Sequence, residues 1–299
     1  MTIKSITVTL VAPMSDHAAN RGERLLGNLS SIKQRPDERV YIAGQMQRHA
    51  LFSAIDRLNE NKGGTYLSNG DGINFNNMKQ DLRADMGGFL RPGIERRTSP
   101  ISATPAVAKN PSQVGRDLLL RLNQREGSDP VPATNSYSQY DEMVMSFHLD
   151  LNALGVRKQF VYNPNDETHI KTHIQAHIDP SEQKRRVKLF LEGTRYLTDY
   201  ANQARNATSG EPQKVLIVLD TVMSRKAARY YKDTTTDIER ENILAELDAR
   251  KALYFLGDDT KVTNSQNDTV DGAYRKALAV LNSAENQLYW PGNQPTPAS

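Results

Sequence analysis

Residues 143–151 constrain the fold more than any other stretch. Met143, Met145, Phe147, Leu149 and Leu151 alternate with Val144, Ser146, His148 and Asp150. A period of two is the mark of a strand with one buried face. Residues 3–12 repeat the pattern, with Ile6, Val8, Leu10 and Ala12 against Thr7, Thr9 and Val11. A third alternation covers 168–178, with Ile170, Thr172, Ile174, Ala176 and Ile178 on one face. The unbroken run Val215-Leu216-Ile217-Val218-Leu219 reads as a central strand.

Helical spacing appears between these strands. Leu51, Ala54, Ile55 and Leu58 give residues 45–58 an apolar face. Val187, Phe190, Thr194, Leu197, Ala201 and Ala204 do the same for 181–205. Two more helices are expected at 237–256 and 269–289. Residues 60–140 differ: they hold Gly63-Gly64, Gly87-Gly88, Pro92, Pro100, Pro105, Pro111, Pro130 and Pro132. Only 117–125 reads as helical there. Such a long loop-rich insertion is usually functional or disordered. Without it the order is β-α-β-β-α-β, which predicts an α+β domain with a ferredoxin-like (RRM-like) sheet. RNA-recognition domains use that sheet as a platform.

Composition removes several function classes. There is no cysteine, hence no disulfide, thiolate metal site or cysteine nucleophile, which fits a reducing cytoplasm. No apolar run reaches the roughly 20 residues of a membrane helix, and the alternating N-terminus does not read as a signal peptide. Net charge is +3, yet residues 1–125 carry 18 Lys and Arg against 11 Asp and Glu, while 126–299 carry 20 against 24. The basic half is where an anionic partner is expected.

Five constellations follow. In Val40-Tyr41-Ile42-Ala43-Gly44-Gln45-Met46-Gln47-Arg48-His49 a strand ends, Gly44 turns, and a helix begins with Gln45 and Arg48 in its first turn. Free N–H groups at a helix start attract phosphate, and Arg48 adds a donor fork; a plain strand–turn–helix with solvated side chains also fits. The loop holding Arg21, Arg24, Asn28 and Lys33 combines small residues with cations, as either a ligand loop or a solvated one. His169, His173 and His177 would stand about 13 Å apart at alternate positions along a strand, too far for one metal, so no metal site is expected. Arg157, Lys158, Phe160 and Tyr162 mix charge with rings. That mixture suits nucleic acid or a hairpin packing its rings on a core. Lys184-Arg185-Arg186 reads as a solvated helix face. No nucleotide loop, nucleophile elbow, zinc helix or paired-carboxylate site is present, so no catalytic residue or cofactor is expected.

The chain resembles the Cas7/DevR family, the guide-RNA-binding backbone subunit of type I CRISPR surveillance complexes (Cascade), in a type I-B-like form. Four segments carry the resemblance: Gly27-Asn28 with Ser31-Ile32-Lys33; Arg39 to Gln45 through Arg48-His49-Ala50-Leu51; Asp85-Met86-Gly87-Gly88-Phe89-Leu90 followed by Arg96-Arg97-Thr98-Ser99-Pro100-Ile101 and Pro105 to Ala108; and the strand 143–151 with the Lys184-Arg185-Arg186 helix. They cover most of residues 1–220 in the family's order. The resemblance implies a hand: palm at 1–59 and 141–290, loop-rich fingers at 60–140, a protruding thumb hairpin near 152–180, and a disordered tail at 291–299. It implies a non-catalytic cytoplasmic protein that polymerises along guide RNA with copies of itself and other Cascade subunits, presenting bases to target DNA. Guide-backbone contacts would be Gly44, Gln45, Arg48 and His49, then Arg21, Asn28 and Lys33. Arg157, Lys158, Phe160 and Tyr162 would serve the thumb, with Phe160 or Tyr162 as its wedge. Arg96 and Arg97 would face the target strand. The alternative is a type III-like subunit cutting target RNA with Asp16, although Met14-Ser15-Asp16-His17-Ala18-Ala19 lacks that branch's glycine-rich acidic setting.

Overall fold

The strands at 3–12, 143–151 and 215–219 come together in one sheet, with β2 at its centre. The computed structural model describes residues 1–25, 29–60, 78, 81–91, 95–121, 131–166, 168–203, 206–261 and 268–290. Its first elements are β1 (Thr2–Ile3), β2 (Ser5–His17), β3 (Arg21–Leu25), β4 (Leu29–Ile32), β5 (Tyr41–Ile42), α1 (Gly44–Leu58) and α2 (Leu82–Gly87). Then come β6 (Phe89–Arg91), β7 (Glu95–Arg97), β8 (Ile101–Ala103), β9 (Ala106–Ala108), β10 (Val114–Arg121) and β11 (Val131–Asp150). The chain continues with β12 (Val156–Tyr162), β13 (His169–Ala176), α3 (Pro180–Gly193), β14 (Lys214–Asp220), α4 (Asp237–Ala249), β15 (Leu253–Asp258), α5 (Val270–Asn282) and β16 (Gln287–Leu288).

The main sheet runs β15-β14-β2-β11, and β8 and β9 pair the far edge of β11. Neighbours along this path are antiparallel. Alternation along β2 splits the sheet's two faces. Ile6, Val8 and Leu10 join the core that also contains Leu51 and Ile55 of α1, Phe190 of α3 and Tyr274 of α5. On the opposite face Thr9 meets Ser146 at 3.1 Å and the Ala227 carbonyl at 3.1 Å. Thr7 meets His148 Nδ1 at 2.9 Å, and burial pushes His148 down to about 4, so the ring is neutral at pH 7. Leu216 and Val218 reach that face too, under Ile243 and Leu247 of α4.

Several sequence expectations are corrected. The strand at 168–178 does not join the main sheet, as the β-α-β-β-α-β order required; β13 pairs with β12 in a separate two-stranded ribbon, within the hairpin at 152–180 that the resemblance offered as its other place. Its sheet position is taken by β8 and β9, short pieces on either side of Thr104-Pro105, which a proline-rich reading hides. Residues 117–125 are not a helix as far as they are described. Through Arg121 they belong to β10, which pairs with residues 131–138 of β11. The loop expected after β2 holds the β3–β4 hairpin. The helix expected over 181–205 stops at Gly193, pressed so close to α1 that a Cβ would lie 2.9 Å from Ile55 Cγ1. Thr194 then bonds back to the Leu191 carbonyl at 2.6 Å. Leu197 is still buried, which is why the apolar stripe seemed to run on. The helix expected over 237–256 ends at Ala249, where Lys251 adopts φ 56° and turns the chain into β15. The last helix ends at Asn282, before β16. The tail expected to be disordered, 291–299, lies outside the described residues.

Candidate nucleic-acid interface

The first turn of α1 is built for close approach. Gly44 sits against β8, where a Cβ would lie 2.8 Å from the Ala103 carbonyl oxygen. Packing, rather than the turn the sequence suggests, therefore demands glycine here: Gly44 has no positive φ. Gly44→Ala is expected to lower stability by about 1–3 kcal/mol through overpacking, read as a lower thermal midpoint. The caps of α2, α3, α4 and α5 are the side chains of Asp81, Asp179, Thr236 and Thr269. In contrast, α1 starts at Ala43 with no side-chain cap and no acidic residue in its first turn. Helix N–H groups without such partners favour an anion.

A groove of 230 Å³ opens beside this turn, lined by Gln45, Arg48, His49, Phe52, Arg83, Gly87 and Gly88. Among the described residues no carboxylate lines it. Gln45 and His49 are exposed, and His49 Nε2 is 3.4 Å from Asp199. Arg48 is half-buried and donates through Nη2 to the Gly87 carbonyl at 2.5 Å and Ser99 Oγ at 3.1 Å. Its Nε is buried with no hydrogen-bond partner, and burial lowers its pKa from the usual arginine value. Arg48 and Arg83 both stack toward the Phe52 ring, at 5.9 and 5.5 Å. Arg83 escaped the sequence reading because its place on the groove comes from α2 folding back onto α1. Gly88, with φ 68°, allows that return: a Cβ would meet the Arg97 carbonyl at 2.5 Å.

The basic loop is tied to the same place. Asn20 Nδ2 donates to the Tyr41 carbonyl at 2.6 Å, and Tyr41 N donates to the Lys33 carbonyl at 3.2 Å. Lys33 therefore neighbours the strand that leads into Gly44. Arg21 is placed by its backbone in β3, and Asn28 lies outside the described residues.

Charge and rings meet again on the ribbon. Phe160 and Tyr162 are 51% and 54% exposed. With His169 across the ladder they form a cluster whose centroids are 5.8–6.5 Å apart. Lys158 is exposed two residues before Phe160, and Arg157 is half-buried at the ribbon's root.

Two arginines are corrected. Arg97, expected to face a target strand, is turned inward onto Asp85, and its Nη1 donates to the Val156 carbonyl at 2.5 Å. Arg186, read as part of a solvated face, is fully buried and bonds Asp85 Oδ2 at 2.6 Å and Glu182 Oε1 at 2.7 Å. Asp85 itself was missed as a site residue. Its burial pushes the carboxyl up, but His177, Arg97 and Arg186 outweigh this and hold it below the ordinary carboxylate range. Arg96 is placed by its backbone in β7.

Residues 14–237 match the family described as "CRISPR-associated negative auto-regulator DevR/Csa2". The chain belongs to this family. No curated protein matches it. Its fold is shared with a chain described as "CRISPR RNA-guided surveillance complex", at TM-score 0.56 and 13% identity, covering 92% of this chain and 98% of that one. Another, "CRISPR RNA-guided surveillance complex, pre-nicking", aligns at TM-score 0.56 and 10% identity over 93% and 99%. At these identities the likeness is one of fold.

In this DevR/Csa2 protein a larger cleft, 790 Å³, lies by Lys109, Lys214, Tyr230, Tyr231 and Lys261. Its lysines are spent on acids: Lys109 on Glu142 at 3.5 Å, Lys214 and Lys261 on Asp258 at 3.7 and 3.6 Å. That cleft is also lined by Asp233, Asp258 and Asp268, whereas among the described residues no carboxylate lines the smaller groove, although Arg83 there lies 3.6 Å from Asp56. Asp16 is exposed at the end of β2, with φ 45° and its carbonyl bonded by Asn206 at 2.8 Å. Among the described residues no three His, Asp or Glu side chains gather around it or elsewhere as a metal site. His169 instead bonds Thr172 at 2.8 Å, and His177 lies 3.3 Å from Asp85. Among the described residues no helix is long and apolar enough to cross a membrane.

Proposed function

We propose that this DevR/Csa2 protein is a non-catalytic subunit of a CRISPR surveillance complex that binds guide RNA along its sugar-phosphate backbone. The groove at the uncapped start of α1, lined by Gln45, Arg48, His49 and Arg83 and among the described residues by no carboxylate, carries this reading. A protein that holds guides of any sequence must grip phosphate and sugar and leave base edges free. Gly44 seats the start of α1 tightly against β8, and Lys33 adds a cation near the strand that leads into it.

The sheet and its helices serve as a ferredoxin-like palm: in the core unit the fourth strand, β14, flanks the first, β2, which flanks the third, β11, which flanks the second, β8 with β9. Residues 60–140 act as fingers, and the β12–β13 ribbon acts as a thumb whose exposed Phe160 or Tyr162 wedges between bases. Copies stack along the guide beside other subunits of the complex, and the displayed bases pair with target DNA.

The test is Gln45→Ala combined with Arg48→Ala. RNA affinity is expected to fall about ten- to a hundredfold, the worth of charged hydrogen bonds. The slope of log affinity against log salt is expected to shrink by about 0.7 for each phosphate the variant no longer neutralises. Unchanged affinity in a folded double variant would remove the assignment.

A further inference from the structure

Among the described residues the β12–β13 ribbon pairs only with itself, and most of β13 is exposed. Its direction must therefore be set at its root. Leu154, Val156 and Ile178 are buried there, but apolar contact is non-directional. The directional contacts converge on one carboxylate. Gly155 N, just before β12, donates to Asp85 Oδ1 and Oδ2 at 3.1 Å each. His177, just after β13, stands 3.3 Å from Oδ1. Arg97 binds Asp85 and uses the rest of its fork on the Ala153 and Val156 carbonyls at 2.6 and 2.5 Å. Arg186 brings in α3 at 2.6 Å. Asp85 thus touches both legs of the ribbon and the body at once. It also lies on α2, the helix that supplies Arg83 and Gly87 to the groove.

We propose that Asp85, held by Arg97 and Arg186, is a positioning residue that fixes the angle of the ribbon against the body. The Phe160–Tyr162–His169 cluster then stands at one set distance from the Arg48 groove. Charge-assisted, forked hydrogen bonds give the needed geometry, and a glycine with φ 70° lets the chain turn under the carboxylate. The meaning of this angle for RNA rests on the reading above; the angle itself does not.

The chain has no cysteine, so paired spin labels can be placed cleanly at Asn165→Cys on the ribbon turn and Asn242→Cys on α4. Pulsed dipolar spectroscopy on the free protein, without RNA, is expected to give one narrow distance distribution. Asp85→Asn, similar in shape but neutral, is expected to widen it at least twofold. Arg97→Lys keeps the charge but loses the fork, and should widen it as well while disturbing the fold less. A broad distribution before substitution, or an unchanged one in either folded variant, would overturn the proposal. Amide exchange on the unsubstituted chain adds a check that needs no variant. The Gly155 amide is expected to exchange at least tenfold more slowly than amides of the ribbon turn, and equal rates would overturn the proposal. Because RNA is absent throughout, failure of the RNA-binding reading leaves these results intact.

Discussion

Asp85→Ala is expected to lower folding stability by about 3–5 kcal/mol, the cost of stripping a buried ion pair of one partner. The side chains of Arg97 and Arg186 are 6% and 1% exposed, and Asp85 is 0% exposed. Neither guanidinium can exchange its missing carboxylate for bulk water without opening the ribbon root. The loss is read from the urea midpoint with the slope of unfolding unchanged. A pH dependence accompanies it. The folded pKa of Asp85 lies below its unfolded value of about 3.9. Its contribution is therefore complete above that unfolded value and disappears as pH falls through the folded one. Between neutral pH and about pH 5 this group is expected to change stability little. Below pH 4 the unsubstituted protein should lose stability more steeply than Asp85→Ala. Equal acid limbs in the two proteins would show that the carboxylate is not held ionised by its neighbours.

Phe160→Ala combined with Tyr162→Ala is expected to weaken RNA binding by about 1–3 kcal/mol for each base that stacks on a ring. Both rings stand half or more in solvent, so the fold should keep its stability. The character of the loss separates these rings from the groove. Ring stacking releases no counterions, so the deficit should stay nearly constant as salt rises, whereas the groove deficit is tied to phosphate neutralisation. Titrations of one RNA at low and high salt distinguish the two. A ring deficit that grows or shrinks with salt as the groove deficit does would refute the wedge role.

Long-period patterns were legible in sequence, and short or composite ones were not. β2, β11 and β14 announced themselves because each carries at least five residues of alternating or continuous apolar character, but the polar faces of β2 and β11, with Thr7, Thr9, Ser146 and His148, are buried as well, where alternation predicts one open face. β8 and β9 did not, because three residues each, split by Thr104-Pro105, give no period to read. β10 contains Leu118-Leu119-Leu120, which suits helix or strand alike, and pairing with β11 decides the matter. The alternating isoleucines of β13 were visible, but an exposed ribbon and a sheet strand share that alternation. At the site, Gln45, Arg48 and His49 follow from their place on one turn. Arg83, Asp85 and the inward turn of Arg97 and Arg186 do not. They depend on distant segments meeting: Asp85 and Arg186 are 101 positions apart in the chain, yet they share a hydrogen bond. A run such as Lys184-Arg185-Arg186 gives no sign that its third member is interior.

The centre of the sheet has a consequence for how the chain is made. β2 is made before either of its partners: its two ladders are formed with residues 138–150 of β11 and with residues 214–220 of β14. During synthesis its first edge stays open until β11 appears, and its second until β14 appears. An unpaired apolar strand in that interval is a template for wrong pairing. β2 thus leaves the ribosome long before both of its edges are covered, so a chain cut short of residue 214 should be far more prone to aggregate than one carried past residue 220.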